Sequence, residues 1–283
     1  MHFTNNDLEF ERSEAPVYRR LVRHIRSMVV RGELEQGARV RETELVESFQ
    51  QAGLIHSTAS RKPVRQAISE LVRLGLLTRR QRAGIEVRSP EKSEVRADLG
   101  LRIHVESGAA CEFARKLAAG EVRSTRVDRL NRFHEELCDL ADQTDQMATT
   151  RFVEVDMDVH LFIARVALGE YGAGIVEELF HRLLPISSRG VTSPAFRSAI
   201  CLEHELLIDS LKDGDVLAVF DAVYYHLVSG VRRWFDGPNP DTDHYITSQL
   251  PDLLRLMGRA KLDYDEIRQG AESYRNTARR PEE

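Results

Sequence analysis

Three cysteines in 283 residues leave little room for sulfur chemistry. Cys111, Cys138 and Cys201 are far apart, odd in number and without Cys-x-x-Cys spacing. Neither a disulfide framework nor a thiolate-bound metal is expected, and the three are read as small buried apolar residues. Long apolar runs are missing too: no stretch approaches the ~20 residues that span a bilayer, and Met1 to Arg12 is too polar for a signal peptide. The expectation is a cytoplasmic chain with no membrane contact. No internal repeat or long low-complexity segment occurs. The chain also lacks an overall positive charge, and −5 at pH 7 taken alone argues against a nucleic-acid partner.

That total hides a split. Val17 to Pro90 carries fifteen Lys and Arg against seven Asp and Glu, a balance of +8, which leaves −13 for the rest. A basic module ahead of an acidic body is the footprint of phosphate-backbone binding, because each neutralised phosphate releases condensed counterions; a merely solvated basic face is the bland alternative.

The order of elements separates the two. Pro16 opens a helical run in which Val17, Leu21, Ile25, Met28 and Val29 share one face and Gly32 closes it. A second helix is expected from Arg41 to Phe49, with Val40, Leu45 and Val46 as apolar anchors. After the polar stretch Gln50 to Ala59, Ser60 caps a third helix with Pro63 in its first turn, packed through Val64, Ile68, Leu71 and Val72. Arg61, Lys62 and Arg65 stand in its N-terminal turns. Gly75 ends it, and Leu76 to Thr78 with Ile85 to Val87 flank Arg79-Arg80-Gln81-Arg82-Ala83-Gly84 as a hairpin with a basic tip. Three helices and a two-stranded wing make a winged helix-turn-helix, whose third helix enters the major groove.

Beyond a short linker stiffened by Pro90, no period-two stretch appears. Helices are expected near 94–118, 123–143, 147–168, 173–186, 193–212 and 215–234, an all-α antiparallel bundle. The whole is therefore mostly α, with a small β wing. Four of its residues have ligand chemistry. Asp156 and His160 are four apart, so a helix projects both from one face. His204 precedes Gly214 by ten residues and His226 follows it by twelve. If Gly214 ends one helix in a left-handed conformation and Asp215 caps the next, the two histidines reach similar depth in a tight hairpin. Each histidine alone is more often a satisfied core or surface residue; the set can surround one divalent ion. Asp158 and Glu203 compete for the carboxylate role, while His104, His134 and His181 lack partners at ligand spacing and are read as structural or surface residues. Nitrogen and oxygen donors suit zinc, nickel, manganese or iron. Arg102 has two readings, a bidentate clamp on an anionic ligand or a surface ion pair with Glu106.

The segments Arg41-Glu42-Thr43-Glu44-Leu45, Ser60 to Ile68, Leu74-Gly75-Leu76-Leu77 and Gly84, followed by Arg102 with Glu106, Asp156 with His160, Glu203-His204, Gly214-Asp215 and His226-Leu227, resemble the GntR superfamily of bacterial transcription regulators. The match is to the FadR branch with an FCD-type effector domain, over about Val17 to Trp234. The resemblance implies that Arg61 and Arg65 touch DNA, within a DNA-facing set of Arg41, Thr43, Ser60, Arg61, Lys62, Arg65, Arg82 and Gly84. It implies that Asp156, His160, His204 and His226 hold a metal, and that a homodimer binds a two-fold symmetric double-stranded operator. Three places depart from the family pattern: the longer connection 50–59, Gly169-Glu170-Tyr171-Gly172 in place of a Gly-Asn pair, and a C-terminal extension.

The domains expected are a tail over 1–15, the winged helix over 16–89, the effector domain over 90–236, and a helical extension over 237–283 with apolar spacing at Leu250, Leu253, Leu254, Leu256 and Met257. The function expected is a metabolite-responsive repressor that is not an enzyme, with Arg102 helping to bind a small carboxylate effector beside the metal. A direct metal sensor and a metal-dependent enzyme, with Glu203 or Asp158 as its acid or base, are the competing readings.

Overall fold

The computed structural model describes residues 16–56, 61–80, 84–188, 191 and 193–234. Ser60, Arg82, the tail over 1–15 and the extension over 237–283 lie outside them. Helix α1 (Val17–Val30) follows Pro16 and buries Leu21, Ile25 and Val29 along one stripe. Helix α2 (Glu42–Gln51) opens with a capping box in which the Arg41 N–H donates to Glu44 Oε2 at 3.3 Å, and it buries Leu45 and Phe49. Helix α3 (Lys62–Arg73) starts with Pro63 in its first turn, where the missing N–H costs nothing, and buries Val64, Ile68 and Leu71 against α1. Fully burying each such aliphatic side chain contributes about 1.5–3 kcal/mol.

The wing differs from the expected hairpin. Strands β2 (Leu77–Arg80) and β3 (Gly84–Val87) pair antiparallel, but β3 is central, and β1 (Arg39–Val40) pairs along its other edge with Val40 opposite Ile85. Val40 is thus a buried strand residue and not a helix anchor. The architecture is a winged helix-turn-helix joined to a helical bundle.

In the bundle, α4 (Lys92–Ala118) lies against α6 (Gln146–Ser187) and α8 (Val216–Trp234). Helix α5 (Thr125–Ala141) lies against α6 and α7 (Pro194–Asp213), and α7 pairs with α8. The two helices expected over 147–168 and 173–186 both form within Gln146–Ser187, and they are separated by a kink at Gly169, whose φ of 74° and ψ of −171° are not helical. By length and composition α6 could cross a membrane, contrary to the expectation that no stretch comes near, yet 56% of its apolar window is buried inside the protein, as in a core helix. Among the cysteines only Cys201 is buried; Cys111 is partly exposed and Cys138 exposed, which corrects the reading of all three as core.

Helix α1 and the loop after it rest on α6. Arg26 Nη1 donates to Met157 Sδ at 3.4 Å, and Gln36 Nε2 to the Pro185 carbonyl at 2.9 Å. Asp98 on α4 is buried between Arg182 of α6, at 2.8 Å, and Arg88 just past β3, at 3.5 Å.

Candidate metal centre and nucleic-acid interface

Asp156 and His160 stand one turn apart on the inner face of α6, while α7 and α8 supply His204 and His226. The hairpin forms as its sequence suggests: Gly214 adopts φ 70°, and Asp215 Oδ1 accepts from the backbone N–H groups of Leu217 and Ala218 at 2.9 and 3.1 Å. One ligand atom from each of the four residues lies within 4.8 Å of all the others, and the three histidines are buried. Asp158 is not a member of the cluster.

The neighbours of these rings set their chemistry. Glu106 Oε2 lies 2.5 Å from His160 Nδ1, and Glu203 Oε2 lies 2.9 Å from His226 Nδ1. Each carboxylate fixes a ring with Nδ1–H as donor, leaving the Nε2 lone pair pointed at the centre. The two Nε2 atoms are 3.1 Å apart. Two lone pairs at that distance repel unless a proton or a cation lies between them. Two ligands held about 2.1 Å from one ion stand roughly 3.0–3.4 Å apart, so the spacing fits coordination. Asp156 Oδ1 is buried without a hydrogen-bond partner, 3.5 Å from His204 Nε2 and 3.9 Å from His160 Nε2. A buried acceptor in that state calls for a positive partner. The four residues can hold a divalent ion through three nitrogens and an oxygen.

Glu106 and Glu203 complete the centre, and their part was not read from the sequence. Glu203 looked like a ligand candidate, and Glu106 only like the partner of Arg102. Arg102 and Glu106 form a buried pair through Nε–Oε1 and through Nη2–Oε2 at 3.4 Å, with the guanidinium 4.8 Å over the Phe180 ring. Both residues are 4% exposed, so the surface ion pair is corrected to a core one. Burial tends to raise the Glu106 carboxyl, but Arg102 and His160 outweigh it and hold the pKa at about 2. His181, also expected to be structural, is buried and bonds the Glu177 carbonyl at 2.7 Å. His104 and His134 bond the Gly100 and Cys201 carbonyls in the same way. A cleft beside the centre is lined by Arg102, Asp156, Ser187 and His226 together with apolar side chains.

On the N-terminal face, Arg61, Lys62 and Arg65 open α3 and are exposed, bordering a broad depression shared with Tyr18, Gln66 and Arg73. Arg65 Nε lies 3.3 Å from Glu42 Oε1, which holds it across α2. Arg41 and Thr43 are exposed at the start of α2, and Gly84 opens β3 with φ 86°. The start of α3 thus presents three exposed basic side chains.

Residues 17–87 match the family model for bacterial regulatory proteins, gntR family, and residues 99–229 match the FCD domain. Among solved structures, E. coli McbR/YncC has a TM-score of 0.62 at 18% identity, covering 78% of this chain and 98% of its own. A chain described as transcriptional regulator GntR from Rhodococcus sp. RHA1 has a TM-score of 0.59 at 16% identity, covering 78% of this chain and 99% of its own. At such identities these two show a shared fold. No curated protein matches the chain.

Proposed function

Since the chain belongs to the gntR family of bacterial regulatory proteins and carries an FCD domain, it is a DNA-binding transcription regulator and not an enzyme, and we propose that it is a metal-dependent repressor released by a small carboxylate. In this reading Asp156, His160, His204 and His226 hold one divalent ion of the zinc, nickel or manganese kind. The observation that carries it is the buried Asp156 Oδ1 facing inward-pointing histidine nitrogens. Four protein ligands leave up to two positions on an octahedral ion, and a carboxylate can take them from the adjoining cleft. The ion's part is to anchor the acid; the chain supplies the response.

The response runs through α6. Asp156 faces the metal centre, and the next residue, Met157, receives Arg26 of α1. An acid that binds one placement of α6 better than another shifts the placement of the recognition helices by that difference in affinity. In a cytoplasmic homodimer on a two-fold symmetric operator, both recognition helices would move together, with Arg41, Thr43, Arg61, Lys62, Arg65 and the wing about Gly84 as the DNA-facing residues. Ser60 and Arg82 complete that proposed set.

Metal content of purified His204→Ala and His226→Ala proteins tests the centre: both should lose the ion, and full retention in both would refute the assignment. Titrating metal-stripped protein while following operator affinity tests the role of the ion. The repressor reading expects a change only when carboxylate is added. A change on metal addition alone would make the ion itself the signal, a second reading favoured by the one-residue separation of Asp156 from the α1 contact.

A further inference from the structure

The cleft beside the metal centre is bounded mostly by apolar side chains. Its composition is one-sided. Phe152, Val153, Phe180, Phe196, Ile200 and Leu227 form its walls. The polar side chains that reach it are Arg102, Asp156, His226 and Ser187. Asp156 and His226 belong to the metal set. Arg102 spends two of its nitrogens on Glu106 and lays its guanidinium over Phe180. Ser187 Oγ already leans on the Leu184 carbonyl at 3.4 Å. Outside the metal set and the Arg102–Glu106 pair, the cleft therefore offers a single side-chain hydroxyl.

Resting on the reading that this cleft takes a carboxylate, we infer that the acid is a monocarboxylate with an apolar body of a few carbons, branched aliphatic or aromatic. A second carboxylate or a row of hydroxyls would be pressed against Phe152, Phe196 and Ile200 without a partner, and unpaired buried polar groups are costly. An apolar body on those walls instead gains affinity in proportion to the area it buries. Phe180 links the two kinds of lining, because its ring meets the Arg102 guanidinium at 4.8 Å and is itself part of the apolar lining.

The test is calorimetric titration of the full-length, metal-loaded protein with acetate, butyrate, 4-methylvalerate and phenylacetate, against malate and gluconate, with metal content assayed before and after. Affinity is expected to rise about fourfold per methylene from acetate to butyrate. Phenylacetate or 4-methylvalerate should bind at least about tenfold more tightly than malate or gluconate. In Ile200→Asn the chain-length series should flatten while the metal stays bound. A flat series in the wild-type protein, or tighter malate or gluconate, overturns the apolar-acid inference and leaves a carboxylate effector standing. Silence from every acid with metal still bound overturns both. Loss of metal recovery altogether points to the failure of the centre itself.

Discussion

Glu106 and Glu203 occupy equivalent stations, each taking the Nδ1–H of a histidine whose Nε2 faces the centre. Glu106→Gln and Glu203→Gln should each weaken metal binding about 10- to 100-fold in a chelator competition. Glu106→Gln should also cost stability on the order of 3–5 kcal/mol by urea unfolding, because it strands Arg102 in the core. The histidines were legible in the sequence because periodicity and a hairpin turn fix where they point. The two glutamates were not, since Glu106 acts only once α4 lies beside α6, a pairing that no spacing along the chain encodes. Another residue, His181, yields a pH prediction. Burial, then the charge of Arg26, push its pKa down from 6.5 to about 3, and its bond to the Glu177 carbonyl opposes this only in part. The folded state prefers the neutral ring, so its contribution is complete above about pH 6.5 and fades as pH falls from there towards 3. By pH 5 the loss is about 2 kcal/mol. The drop in unfolding free energy between pH 7 and pH 5 should therefore shrink by about that amount in His181→Gln.

At the scale of elements, helices with a clear apolar stripe or a cap, such as α1, α3 and the α7–α8 hairpin, were legible to within a few residues. Strand β1 was not: two residues are too short to show alternation, and Arg39–Val40 becomes a strand only because β3 has a free edge beside it. The two helices on either side of Gly169 were legible because that residue, at φ 74° and ψ −171°, leaves the helical region and breaks the run. Contact between elements also decides what a glycine is worth. Gly75 has φ 76°, and a Cβ there would meet Arg182 Cγ at 2.6 Å; Gly32 has φ 74° with nothing within 4 Å. Both Gly→Ala changes bring left-handed strain of about 1–2 kcal/mol. Gly75→Ala should exceed Gly32→Ala by a further ~1–3 kcal/mol, because Arg182 is held by Asp98 and cannot simply withdraw. Equal losses in urea unfolding would mean that the end of α3 does not seat against α6.

For the molecule as a whole, the charge split matters more than the charge. The acidic body sets the total of −5, yet operator binding should follow the basic module and weaken steeply with salt. Lys62→Ala should lower the slope of log affinity against log salt by about one if it meets a phosphate. Arg61→Ala and Arg65→Ala should each cost about 1–3 kcal/mol on the operator and less on random DNA if they read bases, as gel-shift titrations on both DNAs can show. That the chain joins a winged helix to a helical bundle was legible because composition and element order change together near Pro90. Where the two meet was not, because Arg26, Gln36, Gly75, Met157 and Arg182 carry no common sequence signal. Their meeting place has a consequence for transplantation. On the proposed function, a foreign winged helix grafted before Pro90 should leave ligand binding by this bundle intact, yet stay deaf to it unless it also presented side chains to Met157, Pro185 and Arg182. The outward ridge of α6 is in that sense a socket, and partners that swap readers must match its pins before their ligands can matter.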